Sequence, residues 1–288
     1  MDIISALIQG LLLGGLYALF AAGLSFLFGV MRLVNLAHGA IAVLAAYLVL
    51  VLVRAGLPPF PALAVAVVVT AALGYALQRT ILQRTLTESP LPSLLVTFGL
   101  AIVIENVLLV TQSANQQRIT LGALDTASIP LFGDIRIGVF PLMVLVFAVV
   151  ALGALSLVMR KTQFGRLVRA VSDDPDTVAL SGANPKHVYG IAAAIAFGLV
   201  AVAGFANGVQ AGFNPASGGL LLIFAFEAVI IGGLGSLWGT LLGAMLLGVV
   251  QTLAARWDST LFQLAGHLVF LVFLIFLPNG LIRRKARL

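Results

Sequence analysis

Residues 3–31 read IISALIQGLLLGGLYALFAAGLSFLFGVM, a run without a single charged side chain. A helix needs about 20 apolar residues to cross the hydrocarbon core of a bilayer. A secretory leader carries only about 7–15 of them, behind a basic start. Asp2 is the only charge ahead of this run, so the stretch reads as a retained transmembrane segment. The rest of the chain agrees. Of its 288 residues, 61% are hydrophobic and 9% charged, with a mean hydropathy of +1.15. Soluble domains average about 25% charged residues, and a soluble fold could not hide this much apolar surface.

Comparable runs recur at 33–53, 60–78, 91–111, 137–159, 188–211, 220–232, 237–254 and 261–277, the first lying at 4–30. The run at 220–232 is short, so 220–254 reads either as two crossings or as a re-entrant pair. The expected fold is an all-α polytopic membrane helix bundle of eight or nine spans, one domain over 1–288, with a cytoplasmic loop at 160–187. With no cysteine, disulfides, thiol catalysis and cysteine-bound metals are excluded.

Sidedness follows from lysine and arginine in the short loops. Alternating outward from 160–187 gives that side Arg32, Arg79, Arg84, Arg160, Lys161, Arg166, Arg169, Lys186, Arg283, Arg284, Lys285 and Arg287. The opposite side receives only Arg54, Arg118, Arg136 and Arg256. The C-terminus is therefore expected in the cytoplasm and the N-terminus outside, with 112–136 as the main external loop. The net charge of +6 is spread as topology signals rather than as a basic block flanked by aromatics, so no nucleic-acid partner is expected.

The most polar passage is SDDPDTVALSGANPKH, residues 172–187. Asp174-Pro175 reads as an N-cap followed by the residue favoured at the first helical position. Asp176 complements the helix dipole, Val178, Ala179 and Leu180 supply apolar surface, and Gly182 is a natural stop. Asn184-Pro185 repeats the pattern and starts the next span. A short separate helix is expected here, either as a connector on lipid headgroups or as a docking element for a cytoplasmic partner.

The segment GRLVRAVSDDPDTVALSGANPKHV (165–188) resembles the cytoplasmic loop of permease subunits of branched-chain amino acid ABC importers, the LivH type. YALFAAGLSFLFGVMRLVNLAHGAI (17–41) resembles that family's first-span signature, and VIIGGLGSLWGTLLGA (229–244) its G-G-x-G-S-x-x-G segment. Leu36 stands where phenylalanine is common. The resemblance implies that Asp173, Asp174, Pro175, Asp176, Thr177, Val178, Ala179, Leu180 and Gly182 form a coupling helix seated on an ATP-binding subunit. It further implies a second related permease, two cytoplasmic ATPase chains, an external solute-binding protein and the bacterial inner membrane. The chain itself lacks the G-x-x-x-x-G-K-[ST] phosphate loop, so ATP and magnesium are expected on the partner chains and no cofactor or metal on this one.

Polar residues inside apolar runs are functional candidates by default. Asn35 and His38, at the meeting of two runs, read either as hydrogen-bonding groups holding a helix break or as part of the translocation path. Glu105 with Asn106 reads as an inter-helix hydrogen bond or as path lining, and Glu227 as path lining. Gly233, Gly235 and Ser236, with Gly232, read as a break at membrane depth, where broken helices can line a substrate path. The ladders Gly204, Gly208, Gly212 and Gly235, Gly239, Gly243 read as helix-packing surfaces. His38, His187 and His267 lack metal-ligand spacing, and no catalytic constellation appears. Two other classes remain open on the residues alone: a stand-alone ion-coupled transporter or channel, and an assembly subunit with no path of its own.

Overall fold

A computed structural model of the chain describes residues 3–86, 89–132 and 135–282. Nine apolar helices make the bundle among these residues: α1 (Ile3–Met31), α2 (His38–Arg54), α3 (Pro59–Thr80), α4 (Leu91–Gln112), α6 (Val139–Lys161), α9 (Pro185–Gln210), α10 (Gly218–Gly232), α11 (Leu237–Ala254) and α12 (Leu261–Phe276). Seven are long enough to cross a membrane when α10 is counted with the 3₁₀ turn before it, while α2 and α12 are shorter. The chain is a multi-pass membrane protein. Three small helices complete it: α5 (Ala123–Thr126), α7 (Gln163–Asp173) and α8 (Pro175–Leu180).

The sequence makes α1 the axis of the bundle. Its glycines and alanines recur on every face, and 83% of its membrane-spanning window is buried, against 11% for α4. Gly10 and Gly14 lie against the backbone of α11 near Gly248 and Met245, and small residues of this kind let helices approach closely in lipid. On α9, Gly204 meets the backbone of Ala42. The expected ladders hold only in part. Gly239 and Gly243 pack on Gly232 and Ala228, whereas Gly212 and Gly235 lie outside helices with φ +76° each.

The segment between α4 and α6 departs from the all-helical expectation. β1 (Ser128–Phe132) and β2 (Ile135–Gly138) pair antiparallel, with Ile129 opposite Ile137, as their β-branched residues favour. Residues 220–254 form two helices running antiparallel, Gly243 against Ala228 and Gly239 against Gly232.

The basic residues separate toward two ends. Arg54 donates to Gln117 Oε1 at 2.6 Å, Arg118 to Val209 O at 3.1 Å, and Gln9 donates to Arg136 O at 3.3 Å. Arg256 follows α11, whose Thr252 donates to Ala6 O at 3.0 Å, so these four share the end where α1 begins. At the other end, Ser172 of α7 donates to Gly29 O at 3.3 Å. Arg283, Arg284, Lys285 and Arg287 lie outside the described residues.

Candidate functional site

The first break begins where Arg32, at φ +52°, ends α1. A helix was expected from residue 33, but α2 starts only at His38. Asn35 explains the delay: its Oδ1 accepts from Ala37 N at 3.0 Å, a local turn that competes with helix. Thr97 Oγ1 of α4 accepts from Leu36 N at 3.1 Å. The His38 ring donates through Nε2 to Phe20 O at 2.9 Å. Phe20 lies eleven residues before the end of α1, which is about 16 Å along the axis. The segment 32–37 therefore doubles back into the bundle, and Asn35 and His38 are fully buried rather than at its boundary. Asn35 Nδ2, a donor, and His38 Nδ1 have no partner among the described residues. With Nε2 donating, the neutral imidazole offers Nδ1 as an acceptor.

The second break joins α10 to α11. Gly233 and Gly235 adopt φ +104° and +76°, and Ser236 Oγ caps α11 by accepting from Gly239 N at 3.2 Å. Thr240 Oγ1 donates to Ser25 Oγ at 2.8 Å, which fastens the break to α1. A helix end leaves its last carbonyls bare. Here the chain beyond α12 supplies the donors: Leu281 N to Ile231 O at 2.8 Å and Ile282 N to Gly232 O at 3.1 Å.

A third polar group lies between α1, α10, α11 and α12. Glu227, 2% exposed, meets His267 Nδ1 through Oε1, and its Oε2 has no partner among the described residues. Tyr17 donates to Gln251 Oε1 at 2.7 Å, and Gln251 Nε2 is left over. Phe224 joins the two pairs, 5.0 Å from the Tyr17 ring and 6.4 Å from His267. Glu105 and Asn106 are not part of this group. They sit on the peripheral α4, Asn106 exposed and bonded to its own helix at Ile102 O. Glu105 makes no hydrogen bond to any described residue.

Sequence reading missed Thr97, Tyr17, Gln251, Thr240 and the partnership of His267. Each is a polar side chain inside an apolar run, which was the available signal. Among the described residues no group of three or more metal-ligating side chains forms.

The polar stretch folds at the end where α1 finishes. α7, not expected as a helix, is capped by Thr162 Oγ1 accepting from Gly165 N at 3.1 Å, and buries Val168 and Val171. α8 follows with Asp174 as its cap, Oδ1 accepting from Asp176 N at 3.1 Å and Thr177 N at 3.0 Å. Gly182 has φ +87°, and Asn184 Oδ1 caps α9 through His187 N at 3.2 Å. Only Val178 turns inward, and Leu180 is 90% exposed.

The hydrogen bonds to Asp174, first from the Thr177 hydroxyl, then from the Thr177 and Asp176 amides, hold its carboxyl below the ordinary 3.8. A depressed carboxylate contributes its cap fully above the ordinary value and loses it as pH falls through the lowered one. The Thr177 amide shift is thus expected to titrate with a midpoint below 3.8. Asp174→Asn should keep the cap and abolish that titration; a midpoint at or above the ordinary value contradicts the geometry.

No solved structure matches the chain significantly. Curated relatives do. The permease BraD of a high-affinity branched-chain amino acid transport system in Pseudomonas aeruginosa is 29% identical, over 96% of this chain and 95% of its own. The corresponding LivH of Escherichia coli is 25% identical over 96% and 94%. A fructose import permease of Rhizobium meliloti is 34% identical over 68% of this chain and 56% of its own. A family model, the permease component of the branched-chain amino acid transport system, matches residues 6–277, and the chain belongs to that family.

Proposed function

We propose that this chain is one permease subunit of an ABC importer for branched-chain amino acids or related small polar solutes. The observation that carries the reading is the whole-length match to permeases of that system. The fructose and xylose permeases among its relatives are why the solute class is kept this broad. The subunit pairs with a second related permease in the bacterial inner membrane. Two separate ATPase chains hold ATP and magnesium, and an external solute-binding protein delivers the solute. The excess of Lys and Arg at the α7–α8 end supports a cytoplasmic position for that end.

In this reading α8 is the coupling helix. Closure of the ATPases pulls it, α7 carries the movement to α1 through Ser172, and the equilibrium between outward- and inward-open states shifts. The breaks at 32–37 and 233–236 supply non-helical backbone and polar groups to the path, with Asn35, His38, Gly233, Gly235, Ser236 and Glu227 as its candidates. A zwitterionic amino acid carries no net charge, so such a path needs no deep fixed charge. Glu105 and Asn106, on the outer face of α4, are better placed to meet the second permease.

The test is purification of the chain from its native membrane in mild detergent, with mass spectrometry of its companions. A phosphate-loop ATPase and a second permease are expected. A variant carrying Asp174→Ala, Leu180→Asp and Gly182→Pro should lose the ATPase alone. A chain that emerges stable and alone in both samples overturns the proposal.

A further inference from the structure

Where α6 bends into α7, a cavity of about 160 Å³ opens between that elbow, the last turns of α1 and the start of α11. Its walls are apolar: Phe26 and Val30 of α1, Met159 of α6 and Leu237 of α11. Among the described residues, its only charged lining residues are Arg160 and Arg169. Neither is paired with a carboxylate, since the only ion pair among the described residues is His267 with Glu227. Arg169 is anchored through Nη1 to Met159 O, which uses one of the five N–H donors a guanidinium carries. Arg160 makes no side-chain hydrogen bond to any described residue.

The cavity adjoins a lipid-facing surface. Leu157, one turn before Arg160, is 61% exposed, and Trp238, next to Leu237, is 40% exposed beside Gly153 of α6. Exposed leucines on a spanning helix meet acyl chains, and indoles gather at the headgroup level. A ligand for this place must offer an anion to two arginines and a hydrocarbon tail to the adjoining wall. A free anion would leave the apolar wall unused.

We propose that the α6–α7 elbow binds the headgroup phosphate of an anionic phospholipid between Arg160 and Arg169, with an acyl chain lying along Met159, Leu237 and Leu157. Basic recesses between membrane helices take anionic headgroups by the same physics. The bound lipid bridges the elbow to the start of α11, so it would brace the 233–236 break against α7. This inference needs only that the chain spans a bilayer, and it stands or falls separately from the importer reading.

The test is native mass spectrometry of the purified chain with phosphatidylglycerol, with zwitterionic phosphatidylethanolamine, and with inorganic phosphate. Phosphatidylglycerol adducts are expected to survive where phosphatidylethanolamine is lost. Arg160→Gln and Arg169→Gln should each reduce retention by about fivefold, the effect of one basic residue near an anionic surface. Arg166→Gln removes the same charge from α7, outside the cavity, and should leave retention unchanged. Arg160 and Arg166 are both exposed, so this comparison does not depend on a buried group. Equal loss in the Arg166 variant, equal retention of the two lipids, or displacement of phosphatidylglycerol by millimolar phosphate would each overturn the proposal, the last by making the site one for a free anion.

Discussion

Leu180→Asp is expected to abolish ATP-driven uptake while the chain stays folded and membrane-inserted. At 90% exposure, Leu180 contributes little to this subunit's own packing. An apolar side chain so placed gains about 1.5–3 kcal/mol if a partner buries it fully. Replacing it with a carboxylate removes that gain and adds a desolvation cost. Since about 1.4 kcal/mol is tenfold in an equilibrium constant, docking should weaken by about a hundredfold or more. Proteoliposomes holding the assembled importer give the readout: uptake lost, with the melting midpoint of this chain unchanged. Uptake that persists at the unmodified rate would remove Leu180 from the interface.

Gly39→Ala should be the most damaging of the small substitutions. A Cβ there would meet the carbonyl of Gly218 and the amide of Leu222. These are backbone atoms of α10, and they cannot turn aside as a side chain can. Overpacking of a filled interior costs about 1–3 kcal/mol. Here it would also push apart the helices that close the first break, so both stability and uptake should fall. Gly99→Ala and Gly219→Ala are the controls, since no heavy atom lies within reach of either new methyl group. Within a helix the same change should gain about 0.5–1 kcal/mol. Melting midpoints in detergent should drop for Gly39→Ala and hold or rise for the other two. A Gly39→Ala protein as stable as the controls would show that α2 and α10 can separate freely.

Much of this was legible in the sequence because it depends on neighbours along the chain. Hydropathy located the spans to within a few residues, and the caps at Asp174-Pro175 and Asn184-Pro185 were readable because cap chemistry is local. The start of α2 was not. Leu33 and Ala37 are as apolar as the helix that follows, and hydropathy does not separate buried coil from buried helix. α7 escaped notice because its exposed arginines mask the few apolar residues that it buries. The partnerships of Tyr17 with Gln251 and Glu227 with His267 join positions 234 and 40 residues apart. Only the folded arrangement of the helices brings those side chains together.

The backbone bonds from Leu281 and Ile282 to the end of α10 bear on how the chain is assembled during synthesis. Residues 233–236 are made long before the segment that completes them, with α11 and α12 in between. Until residues 281 and 282 emerge, two carbonyls at the end of α10 lack these donors and must be met by water or headgroups instead. The elbow between α10 and α11 must therefore rest at the membrane surface or against the insertion machinery while α12 is threaded. It is drawn into place by a step resembling the fastening of a strap. A ribosome stalled with only residues up to 277 exposed should hold an α10 that is still open to protease at Gly233, and one paused beyond residue 282 should not.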